Sequence, residues 1–211
     1  MMETAIVAFT TFFATIAPLD VAAMFAALTP NATAAEKRSM AIRGTMISGA
    51  ILLSFALVGE IVLSTLGISL AALKVAGGIL LLLIGIEMVF ARSSGGTSTT
   101  DEEDQEAIAS KDIAVFPLAT PLIAGPGAMG ATILLMADAR GDLVAEAVII
   151  GAMLTVLLLT LALLLLTNKV LRLFGITAMY VISRVFGVLL SALAVQFMFD
   201  GLAQSGLLGN N

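Results

Sequence analysis

Six long apolar stretches, separated by clusters of charge, constrain this chain more than any other feature. They fall at roughly 4–28, 44–66, 70–91, 112–137, 146–167 and 178–203. Each is long enough to cross a hydrocarbon core about 30 Å thick, which takes about 20 mostly apolar residues as helix. The run from Arg43 to Arg92 is too long for one crossing, and Gly67-Ile68-Ser69 marks a turn inside it. Gly175-Ile176-Thr177 reads as the matching turn before the last span. Continuous apolar runs, rather than short alternating segments, argue against a membrane barrel. The expected fold class is an all-α membrane protein with six transmembrane helices.

Composition then narrows the chemistry. Of 211 residues, 60% are hydrophobic and 12% charged, where an ordinary soluble domain is about a quarter charged. With 15 acidic against 10 basic residues and no polybasic patch, a nucleic-acid partner is not expected. The chain has no cysteine and no histidine. That removes disulfides, thiolate metal sites, cysteine nucleophiles and the usual general base. Gly-x-Ser-x-Gly and Gly-x-Gly-Asp motifs are absent as well. The expectation is a non-enzyme without metal or other cofactor.

Orientation follows from the cations. Alternating crossings send Lys37, Arg38, Arg43, Arg92, Lys111, Lys169, Arg172 and Arg184 to one face, and only Lys74 and Arg140 to the other. This bias places both termini outside a bacterial inner (plasma) membrane. The first span starts Met1-Met2-Glu3, lacks a basic leader and carries Pro18 and Asp20 centrally, so it reads as a retained helix rather than a cleaved signal. The one long connection, 93–111, is a Ser/Thr/Gly stretch followed by an acidic run. Asp101, Glu102, Glu103, Asp104 and Glu106 equal the whole net charge of −5. By composition it is a flexible cytoplasmic linker.

That linker divides the chain into 1–92 and 112–211, and the two parts resemble each other. A shift of 108 lays Pro18 on Pro126, Val7 on Val115, Ala23 on Ala131 and Gly67-Ile68 on Gly175-Ile176. A shift of 109 lays Gly78-Ile79-Leu80-Leu81 on Gly187-Val188-Leu189-Leu190, and Glu87 on Gln196. Because each unit crosses three times, the second enters from the opposite face. The expectation is two inverted three-helix repeats, an arrangement many secondary transporters use.

Proline marks where the spans should break. Ala17-Pro18-Leu19-Asp20 lies about 20 Å into span one, and Pro126 reaches a similar depth in span four from the other face. Pro117, Pro121 and Ala124-Gly125-Pro126-Gly127 add further breakers, since proline removes a donor and glycine releases the backbone. Helices 1 and 4 are therefore expected to break near the midplane. Irregular backbone is tolerated there only when covered by protein or lining a wet cavity. Half-helix N-termini attract a carboxylate and free carbonyls attract an ammonium, so a small zwitterion fits both. The expected substrate-binding residues are Thr15, Ala17, Pro18, Leu19, Asp20, Thr120, Pro121, Ala124, Gly125, Pro126 and Gly127. Asp20, a carboxylate at depth, is read either as a helix cap or as a ligand for substrate, proton or cation. Glu60 and Gln196 are candidate pathway groups.

Several stretches together resemble the MarC family of bacterial and archaeal inner-membrane proteins, which includes small neutral amino acid transporters. They are Pro18-Leu19, Phe55-Ala56-Leu57-Val58-Gly59-Glu60, Ala76-Gly77-Gly78-Ile79-Leu80-Leu81, Asp112-Ile113-Ala114-Val115-Phe116-Pro117-Leu118-Ala119, Pro121-Leu122-Ile123-Ala124-Gly125-Pro126-Gly127, and Ala194-Val195-Gln196-Phe197 with Asp200-Gly201. The resemblance implies six spans and coupled uptake or exchange of glycine, alanine and similar amino acids. One difference stands out: the family commonly has Asn or Asp before the first proline and Gly after Pro-Leu, where this chain has Ala17 and Asp20.

The function expected is a secondary transporter of small neutral amino acids working by alternating access, coupled to H+ or Na+. Its partners are a small zwitterion and the bilayer, with a homodimer compatible with so small a bundle. The alternatives are export of another metabolite or drug, and a non-transporting scaffold acting through the acidic linker.

Overall fold

The computed structural model describes residues 1–90, 112–139 and 141–206, so the acidic linker at 93–111 lies outside the described residues. Eight helices follow in order: α1 (Met2–Ile16), α2 (Pro18–Leu28), α3 (Ala34–Thr65), α4 (Leu70–Phe90), α5 (Ala114–Ile123), α6 (Pro126–Asp138), α7 (Leu143–Leu165) and α8 (Thr167–Gln204). No strand occurs among the described residues. Five segments are long and apolar enough to cross a membrane, and six if the bent pair α5–α6 is one span.

Local chemistry explains most boundaries. Thr33 and Glu36 form a reciprocal capping box that starts α3, the Thr33 N–H donating to Glu36 Oε2 at 2.8 Å. The carboxylate of Asp142 accepts the N–H groups of Val144 and Ala145, both at 3.0 Å, and starts α7. Gly67 adopts φ 69° between α3 and α4, so the turn expected at Gly67-Ile68-Ser69 is there. The turn expected at Gly175-Ile176-Thr177 is not: α8 runs unbroken from Thr167 to Gln204, and α7 gives way to α8 at Leu166 instead. A single glycine costs a helix only about 1 kcal/mol, and no proline follows it to stop propagation. Helix α3 likewise begins ten residues earlier than the apolar run from 44, because the capping box nucleates it ahead of the membrane.

The two proline-containing spans behave differently from the rest. Half of the apolar window of α1–α2 is buried, against 28–33% in the other four spans. Span one is therefore the inner element. Phe12, Ile16, Leu118, Ile123, Ala124, Ala128 and Ala131 are all 0–1% exposed and form the centre of the core. Around them α3 packs on α5, α6 and α7, while α7 also covers α1 and α2. Leu57, Leu83, Leu158 and Phe199 point outward, as lipid-facing residues do.

The most extensive helix pair is α4 with α8, and glycine makes it possible. A Cβ at Gly85 would stand 2.8 Å from the Gly187 carbonyl oxygen, one at Gly78 2.7 Å from that of Ala194, and one at Gly201 2.8 Å from that of Ala71. The backbones touch, as small residues permit between membrane helices. Pairing Gly78 with Ala194, Gly85 with Gly187 and Ala71 with Gly201 defines an antiparallel register.

Candidate functional site

Within the first span the chain passes from α1 to α2 at Ala17. Helix α1 ends at Ile16, and Ala17 takes a left-handed conformation, φ 48° and ψ 62°. It is the only non-glycine residue with positive φ among the described residues. Such a residue costs about 1 kcal/mol or more, imposed here because Pro18 disfavours helical geometry before it. Pro18 is the first residue of α2, where its missing N–H costs nothing. The N–H groups of Leu19 and Asp20, and the last carbonyls of α1, fall outside the helical ladder.

Asp20 does not cap α2 by its side chain. Its carboxylate instead accepts a hydrogen bond from Ser183 Oγ of α8 at 2.8 Å. Ser183 is one helical turn before Gly187, whose position faces Met88 and Val89. Asp20 therefore lies level with the end of α4.

The second interruption is more elaborate than a kink. Segment α5 is not a continuous helix: the Leu118 N–H bonds to Ile113 O at 3.1 Å and the Ala124 N–H to Ala119 O at 2.8 Å, each across a non-helical residue. Phe116 (φ −129°) and Thr120 (φ −134°) are extended inside it, each just before a proline. Both peptide bonds, Phe116-Pro117 and Thr120-Pro121, are cis. Gly125 is extended, ψ 170°, and α6 restarts with Pro126 as its first residue, bent 53° from α5. The first turn of α6 presents the N–H groups of Gly127 and Ala128, which have no acceptor within the helix.

The two interruptions meet. A Cβ placed on Gly127 would lie 4.0 Å from Thr15 Cβ at the end of α1, and would overlap Ile84 Cδ1 of α4. The C-terminal end of α1 thus faces the N-terminal end of α6. Thr15, Ala17, Pro18, Leu19, Ala124, Gly125, Pro126 and Gly127 are carried on or beside these ends, with Thr120 and Pro121 on the segment that leads to them. Thr15 is buried, and its hydroxyl donates to Thr11 O at 2.8 Å, its own helix. Gln196 is exposed and donates to Asp200 Oδ1 at 2.8 Å; it does not join the breaks. The side chain of Glu60 lies outside the described residues.

Three polar groups at this junction escaped the reading of the sequence. Thr11, fully buried with its hydroxyl unpartnered, is one turn before Thr15. Ser48 of α3, also fully buried, donates to Gly44 O at 2.8 Å and reaches Ala119 O of α5 at 3.3 Å. Ser183 holds Asp20. The Thr-x-x-x-Thr spacing could have pointed to Thr11; the two serines carry no sequence signal.

Two ion pairs tie span four at its ends. Arg43 of α3 meets Asp112 at 2.6 Å, both side chains about half exposed. The Arg43 guanidinium, with the Ala114 N–H, holds the Asp112 carboxyl below its ordinary range. At the far end Lys74 Nζ of α4, 4% exposed, meets Asp138 Oδ1 at 2.5 Å. Asp138 is the last residue of α6, so Lys74 also sits at a helix C-terminus, where a cation is favoured. Among the described residues no cluster of acidic side chains could hold a metal ion.

These features define a multi-pass helical membrane protein. The chain belongs to the MarC family: the model of the MarC family integral membrane proteins matches residues 2–205. It is 38% identical over 197 residues to a UPF0056 membrane protein of Methanocaldococcus jannaschii, covering 93% of this chain and 95% of the relative. It is 34% identical to UPF0056 membrane proteins of Archaeoglobus fulgidus (93% and 91% covered) and of Bacillus subtilis, named YvbG (92% and 92%). No solved structure matches the chain.

Proposed function

We propose that this protein is a secondary transporter of small neutral amino acids of the glycine and alanine type, and not an enzyme. The substrate lies between the two helix breaks and passes by alternating access. The observation that carries this is the meeting of α1's carbonyl end with α6's N–H end at Thr15 and Gly127. One offers acceptors for an ammonium, the other donors and a positive dipole for a carboxylate. A small zwitterion satisfies both ends at once.

Depth supports the same site. Helices α4 and α6 run antiparallel through Lys74–Asp138, Gly77–Leu134 and Ile84–Gly127. Ten residues separate Lys74 from Ile84, about 15 Å of helix and half of a core about 30 Å thick. The breaks then stand near the midplane, with Lys74–Asp138 at one membrane face.

Inverted repeats account for the packing. Span one lies on α7 as span four lies on α3, and α2 meets α8 as α6 meets α4. A shift of 109 carries the Gly78–Ala194 contact onto the Gly187–Gly85 contact, so the α4–α8 pair maps onto itself. With most cations facing the cytoplasm, both termini lie outside the cell membrane. Coupling to H+ or Na+ is assigned to Asp20, poised by Ser183 beside the first break.

Uptake of labelled alanine or glycine into proteoliposomes tests this, with wild type compared against Asp20→Asn. Wild type is expected to accumulate substrate under a proton or sodium gradient, and Asp20→Asn to lose at least tenfold of that accumulation. Absence of flux for every small amino acid, under either gradient, overturns the proposal.

A further inference from the structure

Backbone, rather than side chains, joins α4 to α8. At Gly78, Gly85, Gly187 and Gly201 a Cβ would stand 2.7–2.9 Å from a carbonyl oxygen of the opposite helix, and packing of that kind does not deform continuously. Span four is fastened in turn to α3. Arg43 pairs with Asp112, Ser48 Oγ donates to Ala119 O at 3.3 Å, and a Cβ on Gly44 would lie 3.1 Å from Ala114 O. Helix α7 covers α1, α2 and α3, so these spans make up a second body.

The seam between the two bodies is built differently. Across it α4 meets α6 through side chains, Ile84 over Gly127 and Leu134 over Gly77. Helix α8 meets α1 through the rings of Phe186 and Phe13, 4.2 Å apart. Polar side chains close the seam toward both ends: Lys74 of α4 holds Asp138 of α6, and Ser183 of α8 holds Asp20 of α2. Gly201 of α8 packs on the Lys74 side chain. From 183 to 201 is 18 residues of α8, about 27 Å of helix, so the two ties stand nearly a hydrocarbon core apart. The shift of 109 that lays α4 on α8 carries Lys74 onto Ser183. Each tie therefore uses the same repeat position, and each ends on a carboxylate of a helix begun by proline.

We propose that α4 and α8 rock as one body against the other spans, with Lys74–Asp138 and Ser183–Asp20 as the closures of its two ends. This rests on the transporter reading above. Opening one tie while the other holds exposes the breaks, which lie along the seam, to one membrane face at a time. The moving body is the third span from each half of the chain, not one whole half. Side-chain contacts across the seam exchange during the motion, whereas the backbone contacts within the pair persist. Lys74 and Ser183 are positioning residues, acting on the ends of the seam and not on the substrate.

A chain without cysteine makes crosslinking direct, and neighbouring residues of α6 face the two bodies. A Cβ on Gly77 of α4 would lie 3.9 Å from Leu134 Cβ, and one on Gly59 of α3 3.5 Å from Ile133 Cβ. Both separations suit a disulfide. Gly77→Cys with Leu134→Cys bridges the seam, while Gly59→Cys with Ile133→Cys stays within one body. Alanine uptake into proteoliposomes is expected to fall at least tenfold when the first pair is oxidised, and to return on reduction. The second pair should keep uptake within twofold of wild type. Labelling of Leu134→Cys by a water-soluble maleimide adds a readout independent of flux. Adding Lys74→Met should speed that labelling at least fivefold and leave labelling of Ile133→Cys within twofold. An oxidised Gly77–Leu134 pair that still transports, equal loss of uptake in both pairs, or Leu134→Cys labelling unchanged by Lys74→Met overturns the proposal. Wild type that moves no small amino acid refutes the transporter reading instead, and the labelling rates then decide the motion.

Discussion

Substituting Gly85 by alanine isolates how much of the bundle depends on backbone contact between α4 and α8. The added Cβ would stand 2.8 Å from the Gly187 carbonyl oxygen and 3.0 Å from the Ser191 nitrogen. Ordinary contact begins near 3.4 Å, so the helices must separate by about 0.6 Å or more at this point. The nearest atom, the Ser191 hydroxyl oxygen, belongs to a side chain and can rotate aside, but the two behind it are backbone and cannot. Separation here also loosens the contacts at Gly78 and Gly201, which share the register. Overpacking of this kind costs about 1–3 kcal/mol, and the upper end is expected. Gly151→Ala is the matched control: it lies within α7, where a new Cβ meets nothing within 4 Å. There alanine should stabilise the helix by up to about 1 kcal/mol through the unfolded state. Thermal unfolding in detergent, followed by monodispersity, reads both. Equal midpoints for the two variants would falsify the close-contact account of this helix pair.

The ion pairs give two further tests. Asp138→Ala leaves Lys74 buried without its partner and should cost about 2 kcal/mol, discounted because Asp138 is 46% exposed; Lys74→Met combined with Asp138→Ala should recover part of the loss in the same unfolding assay. Since the Asp112 carboxyl is held below its ordinary range, its pairing with Arg43 contributes fully above about pH 4. That contribution fades as pH falls through the lowered value. With both groups half exposed it is worth less than about 1 kcal/mol and weakens with salt. Asp112→Asn should therefore lower stability slightly at neutral pH and leave it unchanged in acid, and an effect that persists in acid contradicts the pairing.

Much of the span pattern was readable because a membrane imposes a length and a composition on each crossing, and the chain obeys both. Pro18 and Pro126 were legible as helix starts for a local reason, since proline is tolerated in the first turn of a helix and disrupts its interior. Gly175 misled because a glycine without a following proline does not stop a helix, and α8 continues through it. The irregular path of α5 was hidden because two prolines four residues apart announce disruption but not its geometry. Asp20 was visible as a carboxylate at depth, yet its partner Ser183 lies 163 residues away, and register between distant helices leaves no mark in either segment.

The most direct test of the site between the two breaks is a structure of the protein with bound alanine. Density for the zwitterion is expected with its carboxylate on the N–H groups of Gly127 and Ala128 and its ammonium toward the last carbonyls of α1. Alanine bound elsewhere, with the facing ends of α1 and α6 closed on each other, would contradict the proposed site.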